Sequence, residues 1–294
     1  MSWEHYLLVF RLKSPLHIGL RKVGNLMQTR PYVPGRVLWG ALTARLVRDY
    51  HPGADNEAYR QIGEDLKQNF RFGYLWPALS RGSTIRSLKD LRIYFPWKEE
   101  NKGMFDFLFL DCYASTALDH GYRGAEEGTL HHVEFIRPYI RSSFGEESRP
   151  VYLAGDIFVK KEVGDHSTLR YWPKALAKIQ LGGERAYGWG RVELVYCAKD
   201  QKLLEIEGKF LINQDTLEIT ANKETYLFAH LEISESVELR GPVEVLTGYH
   251  TQASGEIRLI QNPPITLVPG TKVSSGSKFI LSENPGLWKS SSVG

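Results

Sequence analysis

Apolar residues recur at every second position near the start of the chain and then at a helical spacing. Alternate residues from Tyr6 to Leu12 are apolar, which predicts a strand over His5 to Lys13. Leucines then recur every four residues, which predicts a helix over Arg36 to Tyr50. Between these elements, residues 14–35 contain several glycines and prolines, which is typical of a long loop.

Further elements are predicted up to residue 197. Residues 53–130 carry mixed signals, with aromatic-rich candidate strands at Phe70 to Trp76 and Leu91 to Trp97. The later predictions are strands over His132 to Arg141, Val151 to Lys161 and Val192 to Cys197, and a helix over Trp172 to Leu181 with Pro173 in its first turn. The order of elements predicts an α+β chain with a ferredoxin-like (RRM-type) β-α-β-β-α-β sheet and an insertion after the first helix. Its helices cover one face, and the other face is expected to be open for binding.

The last third of the chain is predicted to be a separate, mostly β part. A charged break at Ala198 to Gln201 suggests domains at 1–199 and 200–294, with a degenerate ferredoxin-like fold as an alternative for the second. The tail from Trp288 to Gly294 is expected to be frayed. The predicted strands are Leu203 to Ile212, Tyr226 to Ile233, Val237 to Leu246, Glu256 to Ile260 and Lys278 to Leu281.

Composition indicates a folded globular protein. Hydrophobic residues make up 42% of the chain, charged residues 24% and aromatic residues 12%, which argues against disorder. No apolar stretch reaches the roughly 20 residues of a membrane span, and no secretory signal is recognisable. Cys112 and Cys197 cannot form a disulfide framework or a Cys-x-x-Cys zinc pair. The expected compartment is the cytoplasm, with no membrane association.

Positive charge is concentrated near the start of the chain. The formal net charge is only +3, yet residues 11–48 carry eight Lys and Arg side chains and no acidic one. Such a segment attracts polyanions, although a solvated basic face is the alternative interpretation.

The segment 182–191 contains four glycines together with Arg185, Tyr187, Trp189 and Arg191. A phosphate-binding loop for ATP or NAD runs from strand to helix, whereas this loop follows a helix and leads into a strand. Guanidinium groups beside aromatic rings are typical of single-stranded nucleic-acid binding. A tight turn whose Trp fills the core explains the same composition, so composition alone leaves both interpretations open.

Two motifs resemble the CRISPR-associated RAMP superfamily. They are the glycine-rich segment 181–192, Leu-Gly-Gly-Glu-Arg-Ala-Tyr-Gly-Trp-Gly-Arg-Val, and Ser-Pro-Leu-His-Ile-Gly at 14–19, followed by Tyr-Val-Pro-Gly-Arg-Val-Leu-Trp-Gly-Ala-Leu at 32–42. A weaker similarity at 241–248, 269–270 and 276–280 is to the subunit that caps the 5′ tag of crRNA in type III effector complexes. The resemblance implies RNA binding through the glycine-rich loop and the first helix.

The resemblance also separates three possible roles. Subunits that cleave target RNA carry an aspartate in the first loop, whereas residues 14–35 contain no acidic residue and Asn25 stands in the matching stretch. Processing endoribonucleases of the family work without metal and often use a histidine near the first helix, which makes His17 and His51 candidates, with Tyr32 or Tyr50 as helpers. The third role is a crRNA-binding subunit without catalysis.

The sequence therefore predicts a non-catalytic RNA-binding subunit of a type III CRISPR effector complex that holds the 5′ tag of crRNA. The alternatives are the metal-independent processing endoribonuclease and a non-slicing backbone subunit. The expected partners are crRNA, other effector subunits including the large polymerase-like one, and target nucleic acid, with no cofactor, metal or catalytic residue. The predicted RNA-binding residues are Arg21, Lys22, Asn25, Arg30, Arg36 and Arg45, and, in the loop, Gly182, Gly183, Arg185, Tyr187, Gly188, Trp189, Gly190 and Arg191.

Overall fold

A computed structural model describes residues 2–53, 55–98, 103–142, 147–233, 239–251, 256–260 and 262–291. The predicted first helix is confirmed, and its leucines at 38, 42 and 46 are buried. A second helix, missed in the sequence analysis, begins after Asp55, whose carboxylate accepts a hydrogen bond from the Ala58 N–H. No helix in the described ranges is long and apolar enough to cross a membrane. The helices are α1 (Gly35–Tyr50), α2 (Asn56–Asn69), α3 (Met104–Phe109) and α4 (Trp172–Leu176).

The central sheet is built around the first strand of the chain, which confirms the strand predicted there. Its path is β12-β1-β11-β5-β6, with β4 also paired to β11, and every pairing is antiparallel. The chain passes in turn through β1, α1, β4–β5, β11, α4 and β12, so two β-α-β units interleave in one sheet. This agrees with the predicted order of elements and confirms the α+β class. The strands are β1 (Trp3–Leu12), β4 (Phe70–Phe72), β5 (Trp76–Ser80), β6 (Leu91–Ile93), β11 (Tyr152–Lys160) and β12 (Val192–Ala198).

Both faces of this sheet are covered. Leu8 and Phe10 of β1 pack in one core with the α1 leucines and with Leu176 of α4. Leu7 and Val9, which point the other way, pack in a second core with residues from the C-terminal part of the chain. The expectation of an open second face is therefore wrong, because strands from beyond residue 200 occupy it.

A smaller sheet lies beside the central one and corrects the prediction of a loop over residues 14–35. Two strands of that segment form a hairpin, and the second of them pairs parallel to β10. The strand predicted over His132 to Arg141 ends earlier, at Ile136. The strands of this sheet are β2 (Gly19–Val23), β3 (Leu26–Thr29), β7 (Leu110–Ser115) and β10 (His131–Ile136), with a separate short hairpin of β8 (Leu118–Asp119) and β9 (Gly124–Ala125).

The C-terminal part is mostly β, as predicted, although its strands are shorter than expected. The segment from Leu203 to Gly208 is a 3₁₀ turn, and Trp288, placed in the expected frayed tail, lies in a strand with 1% of its surface exposed. Residues 237–238 of the strand predicted over Val237 to Leu246 and residues 292–294 of the predicted tail lie outside the described ranges. The strands are β13 (Phe210–Ile212), β14 (Glu218–Ala221), β15 (Thr225–Tyr226), β16 (Leu231–Glu232), β17 (Val243–Val245), β18 (Tyr249–Thr251), β19 (Ile257–Leu259), β20 (Ile265–Leu267), β21 (Lys272–Val273), β22 (Lys278–Leu281) and β23 (Trp288–Ser290).

A buried carboxylate joins the two parts of the chain. Asp156 of β11 is 1% exposed and lies 2.8 Å from Nε2 of His5. Its two oxygens also accept hydrogen bonds of 2.9 Å from the N–H groups of Leu203 and Leu204. The chain is thus fixed to the sheet directly after the boundary predicted at Ala198 to Gln201, and that division into domains stays a prediction.

Candidate nucleic-acid interface

A groove of about 380 Å³ lies between α1 and the glycine-rich loop. Small residues of α1, Gly40, Ala41 and Ala44, line it, and so does Tyr59 of α2. The beginning of β2 and the segment after β17 complete the walls. The lining residues are Ile18, Gly19, Arg30, Pro34, Arg36, Val37, Gly40, Ala41, Ala44, Tyr59, Gln180, Gly182, Gly183, Arg185, Leu246 and Thr247.

The glycine-rich loop is folded tightly onto the 14–19 segment. The Gly183 N–H donates to the His17 carbonyl at 2.9 Å, and the Gly190 N–H donates to the Pro15 carbonyl at 2.7 Å. Gly182 and Gly190 both have positive φ, and a Cβ at either would overlap a backbone carbonyl oxygen. These two glycines are therefore required by the local backbone, as the tight-turn interpretation predicts.

The loop presents side chains more than backbone amides. Most of its N–H groups already donate within the protein, so they offer little to an anion. Those engaged in this way are the N–H groups of Gly183, Tyr187, Gly188, Trp189, Gly190 and Arg191. Those six N–H groups are therefore not available to a phosphate.

The two aromatic rings of the loop have different environments. Trp189 is half-buried and meets Phe135 edge-on, with 5.1 Å between ring centroids. Tyr187 has 81% of its surface exposed. Tyr187 is thus the ring that a base can reach, as the RNA-binding interpretation of the loop requires. Trp189 packs against Phe135, which is closer to the tight-turn interpretation.

Two arginines line the groove, one from α1 and one from the glycine-rich loop. Arg185 is exposed in the loop, close enough to Tyr59 for its charge to act on the pKa of that phenol, which burial nevertheless raises. Arg36 is half-buried in the first turn of α1, and its guanidinium lies against Gly248. Burial lowers the pKa of Arg36, because the charged form loses hydration.

Arg30 also lines the groove, but its charge is already engaged. Its side chain is 9% exposed and forms a bidentate ion pair with Glu244 of β17. Glu244 also lies 3.2 Å from Nε2 of His230, and Nδ1 of His230 lies 2.6 Å from the Tyr74 hydroxyl. Burial alone would raise the pKa of Glu244, but the hydrogen bonds from Arg30 and His230 lower it to about 2. The Arg30 guanidinium is therefore already paired with a carboxylate in the fold, and its contact with phosphate stays a prediction.

The structure does not bring the other predicted cations to the groove. Arg21 and Lys22 lie exposed on β2, and Asn25 lies exposed at the hairpin turn. Arg45, on α1, forms an ion pair with Asp49 one turn later. Arg191 is exposed at the end of the loop but does not line the groove. Of the predicted set, the groove gathers Arg30, Arg36, Gly182, Gly183 and Arg185.

The candidate catalytic histidines occupy separate places. His17 is 8% exposed beside Gly183, and its Nδ1 lies 2.7 Å from the Glu134 carbonyl oxygen. His51 follows the last turn of α1, about 20 Å from Arg36 at 1.5 Å per residue, and contacts Thr168. Tyr32 is buried against Tyr74 and Trp76. Only His17 of these is adjacent to the groove within the described part of the chain.

Tyr59, Gln180, Leu246 and Thr247 line the groove but were missed in the sequence analysis. The Asp-Asn-Glu signal at residues 55–57 could have revealed α2 and with it Tyr59. Leu246 and Thr247 arrive from a distant strand, which no local pattern predicts. Among the described residues, no group of three or more His, Cys, Asp or Glu is arranged to hold a metal ion.

Comparison with known proteins gives a family match over most of the chain. The family model of the RAMP superfamily matches residues 9–193. A comparison with curated proteins gives no match. Among solved structures, a chain of a type III-B Cmr-beta complex bound to cognate target RNA and AMPPnP has a TM-score of 0.48 at 13% identity, covering 92% of this chain and 86% of that one. A second such complex, bound to cognate target RNA, has a TM-score of 0.46 at 13% identity, with coverages of 91% and 86%.

Proposed function

Because this chain belongs to the RAMP superfamily, we propose that it is a non-catalytic RNA-binding subunit of a type III CRISPR effector complex. In this proposal the groove between α1 and the glycine-rich loop holds the 5′ tag of crRNA. The observation that carries the proposal is that two arginines line the groove, Arg36 from α1 and Arg185 from the glycine-rich loop. Guanidinium groups recognise phosphate oxygens, and the Tyr187 ring, 81% exposed and two residues after Arg185, offers a surface for stacking a base.

The groove accepts a single strand more readily than a duplex. Its volume of about 380 Å³ is within the range of pockets for small ligands. Sequence-specific recognition of RNA mostly uses unpaired bases stacked on aromatic side chains. A short, unpaired 5′ tag fits this geometry.

The direct test compares Arg185→Ala with Arg60→Ala, a matched control on an exposed arginine of α2 that is paired with Glu57. The probe is a short single-stranded RNA with the tag sequence of the associated repeat at its 5′ end. Arg185→Ala should weaken binding by about 1–3 kcal/mol, the range for a charge-assisted hydrogen bond. The melting temperature should hardly move, because Arg185 is exposed, and Arg60→Ala should bind as the parent protein does.

Tag recognition and salt dependence add two readouts. An RNA with a scrambled 5′ end should bind more weakly than the tag RNA. Affinity should fall with salt with a log–log slope of about 0.7 per phosphate neutralised. Equal affinity of Arg185→Ala and the parent protein for tag RNA would contradict the proposal.

A second candidate function is metal-independent cleavage of precursor crRNA. His17 favours it, because donation of Nδ1–H to the Glu134 carbonyl leaves Nε2 as an acceptor on the side of Gly19. Incubation of repeat RNA with the protein in EDTA, followed by denaturing electrophoresis, decides between the two functions. A single cut that is lost in His17→Ala supports the nuclease, and intact bound RNA supports the non-catalytic subunit.

We also propose that the C-terminal part contacts the large polymerase-like subunit. Val243 and Val245 of β17, the last strand of its sheet, are 57% and 49% exposed, and Ile265, the cross-strand partner of Val245, is 53% exposed. Exposed β-branched residues at a sheet edge form a surface suited to another protein. Val243→Asp/Val245→Asp should reduce assembly with the large subunit while leaving RNA affinity unchanged, as gel filtration of the mixed subunits would show.

A further inference from the structure

A strip of positive charge continues from one end of the groove. On α1 it comprises Arg45 and Arg48, in the turn that follows the groove residue Ala44. From the segment that leads into the glycine-rich loop it comprises Lys178, two residues before the groove residue Gln180. Lys174 and Arg170, earlier in the same segment, complete it. The α1–α4 strip is therefore defined as Arg45, Arg48, Arg170, Lys174 and Lys178.

The strip keeps most of its charge. Asp49 is the carboxylate in contact with it, through an ion pair with Arg45 and a 3.5 Å approach to Lys178. The segment 169–183 contains no acidic residue, so its three cations recur every fourth position without a counter-charge from their own segment. Arg48, Arg170, Lys174 and Lys178 are all exposed. The turn before Arg170 packs beside the segment that carries Arg170. This turn has two carboxylates, Glu162 and Asp165.

Two stacked aromatic rings lie within the strip. Tyr50, at the end of α1, and Tyr171 are parallel within 10°, with 4.3 Å between centroids. The Arg170 guanidinium lies 4.9 Å from the Tyr171 ring centroid, and the Lys174 ammonium lies 5.9 Å from it. Cations and half-exposed rings in one surface are the combination that binds a single-stranded polynucleotide.

We propose that the α1–α4 strip carries the continuation of a single-stranded RNA whose end lies in the groove. This proposal rests on the proposed function, because it needs RNA in the groove. The strand would leave past Ala44 and place successive phosphates near Arg48, Lys178 and Lys174. An acidic protein surface would satisfy the same charges, but the rings and the continuity with the groove favour RNA.

RNA length provides the test. Arg48→Gln/Lys174→Gln removes two exposed cations of the strip, and Lys199→Gln/Lys289→Gln is a control with the same change of charge on exposed lysines elsewhere. Affinity of the full chain is measured for a tag RNA of 4 nucleotides and for the same RNA extended to 12. The strip variant should lose roughly tenfold in affinity for the 12-mer at physiological salt, with a salt slope lower by about 1.4. Its affinity for the 4-mer should change less than about twofold, since a short strand does not reach the strip.

Several outcomes overturn the proposal. Unchanged 12-mer binding by the strip variant would do so and would assign the strip to an acidic protein surface. An equal loss of affinity for the 4-mer and the 12-mer, or the same loss in the control variant, would mean that the strip contributes only a general electrostatic attraction. A parent protein that binds neither RNA would instead refute the function proposed for the groove, so the two failures are distinguishable. The melting temperatures of all variants confirm that each remains folded.

Discussion

The two faces of the central sheet are covered by different kinds of structure. On one face, α1 and α4 pack against Leu8 and Phe10. On the other, C-terminal strands and the segment after Ala198 pack against Leu7 and Val9. The helical face borders the groove and contributes its exposed cation, Arg185.

The charged groups also differ between the two places where these layers border the groove. Where the C-terminal strands meet the groove, Glu244 neutralises Arg30 in a buried network. Where the helical layer meets the groove, Arg185 is exposed. The comparison teaches that a sheet face need not be open for the chain to offer a polyanion site, since the border of the helical layer can provide one.

The largest expected effect tests whether the second face is truly a core. Leu7→Ala and Leu8→Ala truncate neighbouring side chains that point to opposite faces, and both side chains are 0% exposed. Each should lower the free energy of unfolding by about 2–5 kcal/mol. Leu211→Ala, at a position 56% exposed, is the control and should change it by less than about 0.5 kcal/mol. Urea unfolding measures all three, and a Leu7→Ala effect as small as that of Leu211→Ala would mean that the second face is open.

The next effect sharpens the picture of the loop that borders the helical face. Gly188 and Gly190 both have positive φ, of +81° and +74°. A Cβ at Gly188 would meet no atom within 4 Å, whereas a Cβ at Gly190 would overlap the Leu181 carbonyl. Gly188→Ala should therefore cost only the strain of the left-handed conformation, about 1 kcal/mol, and Gly190→Ala about 3 kcal/mol. Similar melting temperatures for the two variants would show that the Gly190 backbone does not approach the Leu181 carbonyl as described.

Much of the fold was predictable because the signals are local. The alternation in β1, the leucines of α1 and the glycine-rich loop each depend on neighbours in the sequence, and all three lie where they were predicted. The burial of the second face is also indicated by the sequence of β1. Leu7 and Val9 are as apolar as Leu8 and Phe10, and a strand that is apolar on both sides is one buried on both faces.

The site was less predictable because its walls come from distant parts of the chain. Arg36 and Arg185 could be named as candidates from composition and motif. The pairing of Arg30 with Glu244 could not, because 214 residues separate them and nothing local in the sequence distinguishes an arginine that will be neutralised. Leu246 and Thr247 reach the groove only through the order of strands in the C-terminal sheet.

The smallest of the three effects concerns acid stability and tests the neutralised border directly. The pKa of Glu244 is lowered to about 2 in the fold, so its contribution is full above its ordinary pKa of 4.5 and is lost as the pH falls from there towards 2. Burial lowers the pKa of His230, so protonation of the unfolded chain below about pH 6.5 also favours unfolding. With a fifth of the Glu244 side chain exposed, screening limits its share to on the order of 2 kcal/mol.

Urea unfolding between pH 7 and pH 3 should show stability falling throughout, with a flatter curve below pH 4.5 in Glu244→Gln than in the parent protein. Glu57→Gln, which removes an exposed ion pair of α2, is the control and should leave the curve nearly unchanged. Parallel curves for Glu244→Gln and the parent protein would show that Arg30 is not neutralised by Glu244, and the second border of the groove would then be as charged as the first.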